Sequence, residues 1–413
     1  MRLLFLTPRL PYPPNRGGEI IIFNFLRQLA ARHEIALVTF YDRPEELAHR
    51  ASLERYCARV EMIRRPGKTD PLVLLRTLGG WSYSISRHWS HELRARLQLV
   101  LAEWQPALVQ VETFVMGAYL PDCRGIPTVL HMHDVAWVMW DRLARVLPFY
   151  LRPLVTIEAR RIRRDELAAC RGASVCVPVS VTDQDRLSAA TAEAPVGVRV
   201  VAPGVDSEAL TPVQRAAGSQ NLVFVGSMSY PPNVDAAEFF VRDVLPLIAA
   251  VVPEVTLTIV GARPSPAVQR LAANPRVRVT GLVEDVRPFY AAAAATIVPL
   301  RIAGGVRMKI LEAMALGSPI LSTSIGAEGL CLEDGRDLLI ADTPDQFAAA
   351  AVRLLRDPAI GDALARHARE TAIRRFSWES VAETLEQVYR SIVPGERPVA
   401  PERDAVASEQ RVP

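Results

Sequence analysis

Twelve short, largely apolar runs, each followed by a turn and a longer amphipathic stretch, constrain this chain more than any other feature. Six lie in the first half: Leu3–Thr7, Ile35–Phe40, Arg59–Ile63, Leu108–Glu112, Thr128–His131 and Val175–Val179. Six follow: Leu222–Gly226, Val255–Val260, Val277–Thr280, Thr296–Leu300, Ile320–Thr323 and Leu338–Ala341. A strand with one face in water alternates apolar and polar residues, whereas a continuous run marks a strand covered on both faces, as in parallel sheets flanked by helices. The pattern therefore predicts an α/β protein with two successive parallel sheets. At 413 residues the chain exceeds one ordinary core and suits two domains of about 150–200 residues each.

Helix punctuation fixes the register. Thr343-Pro344-Asp345-Gln346 combines an N-cap, a proline at the first helical position and a glutamine at the third, a capping-box arrangement. Asp70-Pro71 and Asp357-Pro358 repeat the cap-then-proline signal, and Asn233 is expected to cap the helix running through Ala237, Phe240 and Val244. Proline, glycine and small polar residues cluster over 201–220, which is expected to link a first domain, 1–200, to a second, 221–376. Residues 377–393 are expected to form a helix that returns to the first domain, and 394–413, poor in apolar residues, a disordered tail.

The net charge of +3 is too small to imply nucleic acid as a partner. Its distribution is uneven, with eight arginines against three acids (Glu158, Asp165, Glu166) between Arg142 and Arg171. That stretch reads either as a solvated helix face or as attraction to an anionic membrane surface. The five cysteines are scattered with no CxxC pair, as expected of reduced buried thiols in a cytoplasmic protein. The apolar run Leu3–Leu6 is too short for a signal core, and no stretch of about 18 uncharged apolar residues is long enough to span a bilayer. Any membrane contact is expected to be peripheral, on the inner face.

Ligands of open parallel sheets bind beyond the carboxyl ends of the strands, which singles out three loops. After the first strand, Gly17 and Gly18 precede a helix, so exposed amides and the helix dipole favour an anion such as a diphosphate; an ordinary strand–helix turn is the alternative. The segment from Val298 to Gly317 ends a strand, turns through Gly304 and Gly305, and starts a helix near Arg307. Arg307 and Lys309 would there meet phosphates and Glu312 a ribose; the alternative is a surface Lys309–Glu312 ion pair. The third loop, Thr128 to Asp134, puts His131 and His133 around a strand end, where a histidine can donate to a sugar hydroxyl. Asp134 is expected either to fix the tautomer of that histidine or to bind the acceptor, and with Glu112, which closes its own strand, it is assigned to the acceptor side. No third ligand has helpful spacing for a metal, so none is expected. Trp81–Trp89 also suits an acceptor side, although both tryptophans read equally well as core. GxGxxG is absent, which weakens a nicotinamide-dinucleotide reading.

Arg301–Gly317, followed by Pro319-Ile320-Leu321-Ser322-Thr323 and Gly326-Ala327-Glu328-Gly329-Leu330, resembles the C-terminal signature of family-4 retaining glycosyltransferases, near the branch of bacterial exopolysaccharide sugar transferases. Val225-Gly226-Ser227-Met228, Gly281 through Val286, and Asp334-Gly335 fit the same pattern, as do Gly17-Gly18 and His133-Asp134. The resemblance covers the chain to about Val393. It implies the GT-B architecture, two Rossmann-like domains facing across a cleft, and a nucleoside-diphosphate sugar as donor, with no cofactor and no metal required. It implies that Glu312 binds the ribose, that Arg307 and Lys309 neutralise the departing diphosphate, and that Gly17 and Gly18 add amides to it. Gly226, Gly304 and Gly305 fall in its donor loops, backbone near Val283 meets the base, and His133 contacts the transferred sugar. Gly304 stands where many members carry a second glutamate, and Ser227-Met228-Ser229-Tyr230 replaces the usual Arg and Lys. Arg307 and Lys309 are expected to take over that charge. The acceptor is expected to be a sugar or a lipid-linked hydroxyl. A sugar-nucleotide epimerase and a non-catalytic nucleotide-sugar binder are the rival classes.

Overall fold

The computed structural model describes residues 1–146, 148–207, 209–302 and 307–393; the expected tail, and Gly304 and Gly305, lie outside them. The chain divides into two compact units, Met1–Ala202 together with the segment from Trp378, and Pro203–Ser377.

Each apolar run forms a strand. In the first unit these are β1 (Arg2–Thr7), β2 (Glu34–Tyr41), β3 (Arg59–Arg64), β4 (Leu108–Glu112), β5 (Thr128–Met132) and β6 (Val175–Pro178). The second unit holds β7 (Asn221–Val225), β8 (Thr256–Val260), β9 (Val277–Val279), β10 (Ala295–Val298), β11 (Ile320–Ser322) and β12 (Leu339–Ile340). All pairings are parallel, and the orders β3-β2-β1-β4-β5-β6 and β12-β11-β10-β7-β8-β9 are the same order read from opposite ends. The first strand of each unit thus lies centrally, with β1 pairing Leu3 to Ile35 on one side and to Leu108 on the other. Leu3 to Leu6 are fully buried, each such side chain contributing about 1.5–3 kcal/mol of apolar burial.

The helices that matter for function are α1 (Gly17–Leu29), α2 (Pro71–Leu78), α3 (Ala136–Val146), α4 (Arg152–Gly172), α5 (Pro231–Phe239), α6 (Met308–Ala315), α7 (Pro344–Arg356) and α8 (Trp378–Ile392). The Thr343 capping box forms at α7, and Asp70 caps α2 through the Leu72 amide. Asn233 does not cap: α5 starts two residues before it, behind Tyr230, and the asparagine side chain turns inward to the Ser227 carbonyl instead. Four cysteines are buried, but Cys331, in the segment between β11 and β12, is exposed. The helix α8 packs back on the first unit through Trp378, Leu385 and Tyr389. Its Glu386 accepts hydrogen bonds from Arg32 (2.8 Å) and pairs with His33 (2.9 Å), which clamps the helix to the end of α1.

Candidate functional site

Reversal of strand order puts a switch point between β1 and β4 in one unit and between β7 and β10 in the other. Such points open the crevice in which doubly wound sheets take their ligands, and the candidate residues fall at both.

In the second unit, Gly226 directly follows β7 and Arg307 is the N-cap residue of α6, on the loop after β10. Lys309, in the first turn of α6, donates to the Asn233 side-chain oxygen at 2.8 Å, and its ammonium lies 4.5 Å from the Phe224 ring centroid. A Cβ at position 226 would come within 2.9 Å of that ammonium and 2.8 Å of the Asn233 amide nitrogen. A side chain at 226 would therefore displace the lysine and Asn233 from this seat. Burial, then the neighbouring Arg307 charge, push Lys309 down to about 7, against a smaller opposing effect of Glu312. Glu312, one turn deeper, is pushed up to about 7 by burial despite Lys309, with Asp285 adding repulsion. The buried Tyr290 hydroxyl acts on that carboxylate electrostatically, while meeting no partner at strict hydrogen-bond geometry. Both groups are thus short of counter-charge. A diphosphate beside Lys309 and hydroxyls beside Glu312 would supply what each lacks. Asp285 also ties the loop carrying Val283 to the neighbourhood of Glu312. Arg301 belongs elsewhere, paired with Asp235 at 2.5 Å.

In the first unit, Gly17 and Gly18 open α1, whose N-cap Arg16 supplies no side-chain cap. A Cβ on Gly18 would lie 2.9 Å from the His133 Nδ1. The other nitrogen of His133, Nε2, lies 2.8 Å from Glu112 Oε2, which His131 Nδ1 also approaches at 2.8 Å. The second Glu112 oxygen accepts from the Gln110 amide at 2.5 Å, and the Gln110 oxygen accepts from the Tyr389 hydroxyl on α8. Burial raises the Glu112 carboxyl, but His131 and His133 outweigh it and hold the group well below the usual carboxylate range. An ionised Glu112 accepts N–H from both histidines, which leaves His133 Nδ1 as the nitrogen that faces the α1 N-terminus. Thr113, next along, takes φ +64, strained for a β-branched residue and consistent with a site held against local preference.

Glu112, expected on the acceptor side, is fully buried with both oxygens engaged by protein groups. Its position is that of a support for His133 rather than of an acceptor contact. The ligand atoms of Glu112, His131 and His133 lie within 4.8 Å of one another, a third partner that sequence spacing did not offer; the two histidine–glutamate separations of 2.8 Å are those of charge-assisted hydrogen bonds. Asp134 lies just before α3, whose first amides, Ala136 and Trp137, are capped by buried Glu166. Sequence reasoning missed Gln110, Tyr389, Tyr290 and the seat provided by Asn233. Only a buried-strand glutamine two residues before Glu112 carried any local signal.

Comparison with known proteins bears on the family and the fold. Residues 15–209 match the family described as Glycosyltransferase Family 4, and residues 219–357 that described as Glycosyl transferases group 1. A glycogen synthase of Mycobacterium tuberculosis is 26% identical over 302 residues, 67% of this chain and 71% of its own. An uncharacterised 44.6 kDa protein in the cps region of Klebsiella pneumoniae is 23% identical over 367 residues, 84% of this chain and 89% of its own. Among solved structures, Anabaena Alr3699/HepE in complex with UDP and glucose has the same fold, with a TM-score of 0.66 at 17% identity over 95% of this chain and 100% of that one.

Proposed function

The chain belongs to the family-4 glycosyltransferases and has their GT-B fold, and on that premise we propose that it transfers a sugar from a nucleoside diphosphate to an acceptor hydroxyl with retention at the anomeric carbon. The observation that carries this reading is the under-compensated Lys309/Glu312 pair at the β7–β10 switch point, seated by Gly226 and Asn233. HepE, which holds UDP and glucose, supports a nucleotide-sugar donor. The resemblance of Arg301–Gly317 to exopolysaccharide sugar transferases supports a role in building such a polymer or another glycoconjugate.

In the proposed reaction the bond from the anomeric carbon to the diphosphate oxygen breaks as the acceptor oxygen bonds to that carbon. The acceptor proton passes to the departing phosphate oxygen, so no protein nucleophile is needed. Positive charge grows on the sugar ring and negative charge on the diphosphate. Cations already fixed beside that diphosphate lower the barrier because they act where charge develops. Arg307 and Lys309 serve this purpose, Glu312 holds the ribose, and the loop at Val283 meets the base. With two cations present, no divalent metal is required. In the first unit Gly17 and Gly18 provide helix N-terminal amides, and His133, held by Glu112, addresses the transferred sugar. Asp134 serves the acceptor, a sugar or a lipid-linked hydroxyl, with the arginine-rich α4 facing an anionic membrane surface.

A thermal-shift screen of nucleoside-diphosphate sugars identifies the donor. Lys309→Ala and Glu312→Ala should each abolish that shift and sugar transfer together. Full activity in both variants would place the donor elsewhere.

A further inference from the structure

Helix α2 is built the wrong way round for water. It buries only Val73, while its leucines point outward, Leu75 being 65% and Leu78 83% exposed. The start of α4 repeats the pattern, with Phe149 79% and Leu154 70% exposed just before and within its first turn. Of eighteen large hydrophobic side chains exposed among the described residues, six lie between 72 and 83 and five between 149 and 157. Contiguous apolar exposure of this kind marks an interaction surface.

The two stretches meet. The loop joining α2 to the short helix Tyr83–Ser86 runs along α4: the Ser82 amide donates to Asp165, the Tyr83 amide to Glu158, and Arg164 to the Gly80 carbonyl. Leu154, Ile157, Arg161 and Arg164 follow at i, i+3, i+7 and i+10 along one side of α4, and exposed Arg160 flanks that side three residues after Ile157. The charge on this helix is one-sided in effect. Its six arginines face three acids, and all three acids accept backbone amides, Glu166 those of Ala136 and Trp137. Behind the loop lies a cavity of about 690 Å³, walled by Gly79, Gly80, Trp81 and Gly117, with Arg124 and Arg164 on its lining. Asp165 also pairs with Arg164 at 2.6 Å, which leaves Arg160 and Arg161 as the guanidiniums beside the leucines; that combination matches the chemistry of an anionic bilayer surface, hydrocarbon for the leucines and phosphate for the guanidiniums.

We propose that α2 and the first turns of α4 form the membrane-docking face of the first unit, inserting Leu75, Leu78 and Leu154 into an anionic leaflet while Arg160 and Arg161 meet its phosphates. This rests on the glycosyltransferase reading only for its purpose, which is to bring the enzyme to a lipid-linked acceptor. Docking itself is measured with no donor present.

Full-length protein is sedimented with phosphatidylcholine vesicles and with mixed phosphatidylcholine–phosphatidylglycerol vesicles. Binding is expected to the mixed vesicles and to be weak on phosphatidylcholine alone. The double variant Leu75→Asp/Leu78→Asp should weaken partitioning at least about tenfold. Arg160→Glu/Arg161→Glu should remove the preference for anionic lipid, about fivefold per residue. Both should keep the wild-type melting temperature and nucleotide-sugar hydrolysis, since neither pair belongs to the proposed donor site. Wild-type protein that stays in the supernatant with both vesicle types overturns the proposal, as does unchanged binding by the leucine variant. A dimer that dissociates in the leucine variant, without vesicle binding by the wild type, would reassign the face to a second copy of the chain. Loss of hydrolysis with docking intact would count against the proposed function alone.

Discussion

The two units solve one problem twice and leave it in opposite electrostatic states. Each has its first strand at the centre, a glycine between that strand and the body of the helix after it (Gly18 opening α1, Gly226 directly behind β7), and a nitrogen 2.9 Å from where that glycine's Cβ would stand: His133 Nδ1 at Gly18, Lys309 Nζ at Gly226. In the first unit the neighbouring charge is satisfied, since Glu112 is surrounded by donors and held strongly acidic. In the second it is not, since Lys309 and Glu312 are both driven towards neutrality at about 7. A site complete within the protein orients a group; a site short of counter-charge awaits a ligand. On the proposed reading the first unit chiefly orients, through His133, and the second supplies the charge that draws the donor.

The largest effect should come from breaking this contrast at its charged centres. Lys309→Met should lower kcat/KM about 10²–10³-fold and weaken nucleoside-diphosphate binding with it, read by steady-state kinetics and calorimetry. Glu112→Gln should lower turnover about 10²-fold while leaving diphosphate affinity unchanged. Equal loss of affinity in both variants would remove the division of labour.

Next come the glycines. Gly226→Ala should unseat Lys309 and weaken diphosphate binding about tenfold, a loss of about 1.4 kcal/mol. Gly18→Ala keeps the backbone amide, so that affinity should change little, while displacement of His133 slows transfer. The contact in each case is the far end of a side chain, so both variants should fold.

The pH dependence sharpens the same point. Lys309 is lowered in the folded protein, so its charged form opposes folding at low pH, and stability rises as pH climbs from about 7 towards the ordinary lysine value of 10.5. Glu312 is raised, so stability falls as pH climbs from 4.5 to about 7. Ligand-free protein should therefore gain most from a diphosphate near neutrality, which a thermal-shift series across pH records. Above about 7, where Lys309 loses its proton, diphosphate affinity should fall by up to about tenfold per pH unit, and Lys309→Met should flatten that slope.

The smallest effect should be Tyr389→Phe. It strips the hydroxyl from Gln110 and leaves a buried amide oxygen without its donor, at a cost of about 1–3 kcal/mol in stability. If α8 steadies His133 through Gln110 and Glu112, turnover should also fall a few-fold with donor affinity intact; a melting-temperature drop alone would limit Tyr389 to packing.

Periodicity and turn chemistry determined the twelve strands, the parallel sheets and the capping box at Thr343, because such features depend on residues within about ten positions of one another. The family pattern likewise led to Gly226, Arg307, Lys309 and Glu312. Asn233 shows the limit: read locally, it is a helix cap, yet the folded chain carries it to Lys309, 76 positions away. Tyr389 and Gln110 stand 279 positions apart, and nothing in either segment announces the other. Their meeting, the sharing of Glu112 between two histidines, and the outward leucines of α2 were decided by tertiary packing. Only packing fixes which polar groups leave water together, and on which side an amphipathic helix finds its cover.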